Sequence, residues 1–227
     1  VRKLIYVPII HTEADMGSVA AAIEKQSSAY IGSERWIKHK EIVTKFWENV
    51  AAYFATFDAA NLKIFQDGLP ADGELGMKIV LKAANQGSVN YRIILDLLNR
   101  GAKLCQTEDP GLLKKEYEQL NPSVLFETYP KKQFSRPQDK SHRERLMIER
   151  DKFVARSIDA SLNEGETGVL FMGSFHDVLK YLPSGIEVKQ LKDREKVNAY
   201  FAILLKKENT LKLKELSDYM ACPLHPA

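Results

Sequence analysis

The apolar run GVLFMG ends in Gly173-Ser174-Phe175-His176-Asp177, and the opening run KLIYVPII ends in His11-Thr12-Glu13-Ala14-Asp15. Two further runs end in acids: NLKIFQ leads into Asp67-Gly68, and GAKLCQT into Glu108-Asp109. Imidazoles and carboxylates are the side chains that hold divalent metals or move protons near neutral pH. With a metal, His11, His176 and Asp67 would ligate zinc or manganese, and the bound water would lose a proton to become the attacking hydroxide. Glu13 or Glu108 would then be the general base, and Arg150 the group that stabilises a developing oxyanion. Without a metal, His176 or His11 would be the base, its tautomer fixed by a carboxylate. Gly173, Ser174 and Asp177 flank His176 and are expected to contact substrate. Several close carboxylates stay ionised together only beside a cation, whether an ion or an internal arginine. Each residue taken alone has an ordinary role as well: Asp67-Gly68 as a turn, Asp109 or Asp177 as a helix cap, Arg150 as a surface ion pair.

For these ends to meet, the runs must be strands of one parallel sheet, because ligands of such sheets bind outside the carboxyl ends of the strands. Five short apolar runs, at 3–10, 61–66, 101–107, 168–173 and 185–191, are mostly separated by helical patterns. The first and fourth are almost continuously apolar, as strands covered on both faces are. Between strands, Trp36, Ile37, Val43, Trp47, Val50 and Phe54 recur roughly every third or fourth position, the spacing of a buried helix stripe. Phe46 and Tyr53 add to this stripe, as core or as a dimer face. Ser88 is placed to cap one helix and Gly101 to stop it. The expected fold is a three-layer α/β domain, 1–227, with a mainly parallel, about five-stranded sheet flanked by helices. Residues 121–140 hold three prolines and no period, and are expected to form a loop or lid.

The stretch Glu149-Arg150-Asp151, a helix, the strand GVLFMG and then Gly173-x-x-His176 resembles the C-terminal half of the TraB/PrgY/Tiki group, which is related to the erythromycin esterases and the ChaN-like haem-binding proteins. Members carry two Gly-x-x-His motifs after strands, with acids and an arginine between. The second motif and Arg150 match. In the first, PIIH has Pro8 where the glycine belongs, with His11 and Glu13 in place. The resemblance implies a site shared by metal-dependent proteases, histidine-based esterases and haem binders, more than one reaction.

Composition limits the remaining classes. With 44% hydrophobic and 28% charged residues, the chain has the make-up of an ordinary globular protein. A formal charge of +3 is too small a bias to imply a nucleic-acid or membrane partner by itself, neither is expected, and no apolar run approaches a membrane span. VRKLIYVPII is too short and wrongly flanked for a signal peptide. Cys105 and Cys222 are read as reduced thiols, hence a cytoplasmic setting. The expected partner is a small-molecule or peptide substrate, with a homodimer as a further expectation. The function expected is a metal-dependent hydrolase; the alternatives are a metal-free esterase-like hydrolase and a binding protein for haem or another small ligand.

Overall fold

A computed structural model of the chain describes residues 1–15, 20–119, 137–206 and 211–224. Five strands, β1 (Arg2–Ile9), β2 (Leu62–Gln66), β3 (Lys103–Leu104), β4 (Thr167–Gly173) and β5 (Ile186–Gln190), form one sheet of order β3-β2-β4-β1-β5. Every neighbouring pair is parallel. All strand carboxyl ends therefore lie on one rim, and the expected three-layer α/β architecture is the one observed.

Alternation along the strands builds two cores. Ile5, Val7, Ile9, Ile64, Val169 and Phe171 face one layer of helices. That layer contains α2 (Ser33–Ala55), α3 (Gly73–Asn85), α4 (Val89–Asn99), α7 (Arg194–Leu205) and α8 (Leu211–Ala221). Leu4, Tyr6, Phe65, Leu170 and Met172 face the other way, onto Val154, Ala155 and Ile158 of α6 (Pro137–Ser161). α1 (Ala20–Ile31) packs on α2, and α5 (Pro110–Gln119) on α6. Trp36, Phe46, Trp47 and Tyr53 are buried within this chain, so they form core and not a dimer face. Ile37, expected in the same stripe, points outward and is 54% exposed.

Local chemistry sets the element ends that matter for the rim. Gly101 has φ +105° and follows α4, where Ala102 N–H reaches back to Leu97 O at 3.0 Å. This left-handed stop is the one glycine adopts without a Cβ penalty. β3 is shorter than the expected 101–107, because the Thr107 hydroxyl replaces a main-chain partner. Gln66 N–H donates to Thr107 Oγ1 at 2.8 Å, while Thr107 N and Glu108 N turn to Leu69 O. Asp109 Oδ1 accepts Leu112 N–H at 2.8 Å and caps α5, with Pro110 opening the helix. The lid expectation at 121–140 lies outside the described residues as far as 136; from Pro137 the chain is helical. Among the described residues, no helix is long and apolar enough to cross a membrane.

Candidate functional site

His176 owes its place to Gly173. β4 ends there, His176 N–H donates back to Gly173 O at 3.0 Å, and the turn aims the imidazole at the end of β2. A Cβ on Gly173 would lie 3.2 Å from Asp67 Oδ2 and 3.5 Å from the His176 ring, so a larger residue would wedge the two groups apart. Asp67 follows β2. Its N–H continues the ladder to Phe171 O at 2.8 Å, and its Oδ2 accepts Gly173 N–H at 3.1 Å.

The α6 helix supplies the other half through two consecutive residues. Asp151 takes His176 Nδ1 on Oδ1 at 2.6 Å and the Asp177 N–H on Oδ2 at 2.8 Å, gripping the β4 loop by side chain and backbone at once. His176 Nε2 remains on the Asp67 side, 4.0 Å from Oδ2. Arg150 turns toward β2 and β3. It forks onto Glu108 through Nη2 at 2.6 Å and Nε at 3.2 Å, reaches Asp67 Oδ1 at 3.0 Å, and meets Glu116 of α5 at 2.8 Å. From the opposite face, α7 clamps the loop. Arg194 donates to His176 O at 2.9 Å and Asp177 Oδ1 at 2.8 Å, and four residues on, Asn198 donates to Ser174 O at 2.9 Å.

Burial makes these charges matter. Glu108 is fully buried, and Arg150, Asp151 and His176 nearly so. Burial alone would push the His176 imidazolium toward losing its proton; the Asp151 bond and the Asp67 charge outweigh it, and its pKa lies above the ordinary 6.5. Burial would raise the Asp67 carboxyl, but His176, Arg150 and the Gly173 N–H together hold it below the usual range. At Glu108 the balance tips the other way: burial prevails over the Arg150 fork, and the carboxyl sits high.

Asp67 is also a wall of a cleft of about 300 Å³, shared with His11, Asp15, Gln66, Asn90 and Tyr91. A buried polar chain forms its floor: Ser88 Oγ donates to Asn90 Oδ1, Asn90 to Gln66 Oε1, and Gln66 to Asp67 O, at 2.7, 2.9 and 3.0 Å. Ser88 is the cap residue of α4 as expected, but its hydroxyl serves this chain instead of the helix N–H groups. Burial and the Asp67 and Asp15 charges push the Tyr91 hydroxyl up to about 12, despite a bond from Gln66.

Of the residues expected to share a site, the rim brings together Asp67, Glu108, Arg150, Gly173 and His176. Asp177 adjoins them, its carboxylate held by Arg194, and Ser174 is buried beside it. His11 is exposed and lines the cleft together with Asp67, with no hydrogen bond or ion pair to His176 or Asp151 among the described residues. Glu13 is half exposed and pairs with Lys40 at 3.0 Å on the outer side of α2. Asp151, Glu116, Arg194 and Asn198 are the participants given no role from sequence. Of these, Asp151 has the clearest sequence signal, adjoining Arg150 in the stretch that carries the family resemblance.

Among the described residues, no group of three or more His, Cys, Asp or Glu is arranged to hold a metal ion. The donor set explains why zinc or manganese does not fit: the Arg150 guanidinium stands between Asp67, Glu108 and Glu116, where a cation would stand, and Asp151 is committed to His176 Nδ1. Comparison with protein-family models, curated proteins and solved structures finds no match to this chain.

Proposed function

We propose that this chain is a hydrolase in which His176, oriented by Asp151, acts as a general base without a divalent metal. The observation that carries the reading is the 2.6 Å bond between His176 Nδ1 and the buried Asp151, which leaves Nε2 facing Asp67 Oδ2 at 4.0 Å, beyond hydrogen-bond distance. In its neutral form His176 donates Nδ1–H to Asp151, and Nε2 takes a proton from water as the water attacks a carbonyl carbon. Asp151 fixes that tautomer and, with Asp67, stabilises the imidazolium that forms. Arg150 has its charge balanced by Glu108, Asp67 and Glu116, so its part is to hold Asp67 ionised and in place. The 300 Å³ cleft, which Asp67 lines and His176 approaches only through Asp67, is at the small end of ligand sites and carries amides, a phenol and carboxylates. That lining supports a small polar ester or amide substrate over haem. The resemblance of Gly173, His176 and Arg150 to the TraB/PrgY/Tiki group supports the same centre.

The test is turnover of a panel of small esters and peptide amides before and after dialysis against chelator, with His176→Asn beside the wild type. Chelator-resistant turnover that disappears in His176→Asn is the expected result. Turnover lost to chelator and restored by zinc or manganese would replace the general-base reading with a metal-dependent one. No turnover, with a small ligand retained through purification, would identify a binding protein.

A further inference from the structure

Away from the rim, Lys192 is 1% exposed at the junction of β5 and α7, and among the described residues no carboxylate pairs with it. A lysine so buried is rare without an acidic partner. Its Nζ is fixed by Tyr219 O at 2.6 Å and Cys222 O at 2.9 Å, carbonyls at the C-terminal end of α8, with the Tyr219 ring centroid 4.9 Å away. Cys222 Sγ lies 3.0 Å from the same nitrogen. The carbonyls account for a lysine at a helix C-terminus; they do not require a thiol. The two groups differ in access: the amine is immobilised inside, while Cys222 is exposed to solvent and to oxidants.

We propose that Lys192 and Cys222 are a modification site, at which dioxygen installs an oxygen-bridged Nζ–O–Sγ cross-link. The N–H bond and the S–H bond give way to N–O and O–S bonds. Nitrogen and sulfur each give up two electrons, and dioxygen takes all four. One of its atoms becomes the bridge and the other leaves as water. Of the three hydrogens on the amine and thiol, two leave in that water and one stays on nitrogen. Thiol reductant returns amine and thiol, with the bridging oxygen released as water. The bridge ties the end of α8 to the residue two before Arg194, which holds the His176 carbonyl.

The full chain, reduced and desalted, is held under air or under argon, then weighed intact and mapped with trypsin. Under air alone the mass rises by one oxygen less two hydrogens, cleavage after Lys192 is lost, and one peptide joins Lys192 to Cys222. Dithiothreitol reverses all three changes. Cys222→Ser abolishes the gain, and Cys105→Ser keeps it. An unchanged mass under air overturns the proposal. So does a gain of whole oxygens on Cys222 with cleavage after Lys192 intact, or a disulfide through Cys105.

Discussion

Asp151 sets two properties of His176 at once, the tautomer and the affinity for a proton. The bond to Asp151 opposes the effect of burial, and with Asp67 it holds the imidazole pKa above 6.5. A base must be neutral to work, so activity is expected to rise with pH through an inflection above that value. In Asp151→Asn burial acts with less opposition, so the inflection moves down in pH and the plateau falls, because the tautomer is no longer enforced. A pH–rate profile for kcat/KM checks this; an inflection that stays put or rises would remove Asp151 from the proton chemistry. Arg150 predicts a different phenotype. Arg150→Gln leaves buried Glu108 and Asp67 facing each other without a cation, at a cost of about 3–5 kcal/mol. Urea unfolding would show it, and Glu108→Gln added to Arg150→Gln should recover part of the loss. At this scale the sequence disclosed Asp67, Glu108, Arg150 and His176, because each sits at a strand end or in a recognisable stretch. It offered Arg150 as the best internal counter-ion for these acids but left a metal ion open beside it, since spacing along a chain does not record which way a guanidinium turns. Glu13 shows the converse: two residues past His11, it is nonetheless carried outward to Lys40.

Elements were legible wherever one signal dominated. The continuous apolar runs of β1 and β4 and the wide stripe of α2 could be read directly, and parallel order followed from the helices between strands. β3 could not be bounded, because its far end is decided by a side chain, Thr107, that belongs to no periodic pattern. α8 was not anticipated at all. Its buried Leu213, Leu216, Ser217 and Met220 do keep helical spacing, but one of the four is a serine, and lysines and acids crowd between them. α3 carries a constraint that only packing discloses. A Cβ on Gly76 would lie 2.4 Å from Ala71 O, a backbone atom that cannot rotate away, and 3.0 Å from the Leu104 side chain. Gly76→Ala, although a better helix former, is therefore expected to destabilise the fold by about 1–3 kcal/mol, the usual cost of overpacking. Gly185→Ala is the control, since its Cβ would meet only the end of the flexible Arg2 side chain at 3.3 Å. Equal thermal midpoints for the two variants would show that the 69–71 segment yields freely.

Over the whole molecule, two buried histidines bind protons in opposite senses, and the acid stability of the fold depends on which prevails. His39 of α2 bonds to the Tyr200 hydroxyl of α7 at 2.9 Å, and burial brings its pKa down to about 4. The unfolded chain takes up that proton near 6.5, so the neutral His39 contributes stability above 6.5 that is lost progressively as pH falls to about 4. The gap between those values corresponds to about 3 kcal/mol. His176 runs the other way. Its raised pKa gives stability that is complete below 6.5 and disappears as pH climbs through the folded value. Asp67 acts in a lower window, losing its contribution only as pH falls below 3.8 toward its depressed value, while the high-lying Glu108 gains stability on protonation. Between pH 6.5 and 5, then, loss of stability is assigned to His39 alone among these four groups. Replacing it with glutamine, which never takes a proton, should cost stability at pH 7.5 but leave a flatter acid profile, the gap from wild type narrowing by up to about 3 kcal/mol by pH 4. Urea unfolding across that range, with His176→Asn carrying the opposite change above pH 6.5, separates the two residues. Parallel profiles for wild type and His39→Gln would mean that His39 is protonated as readily in the fold as outside it, and that the α2–α7 contact opens to admit the charge.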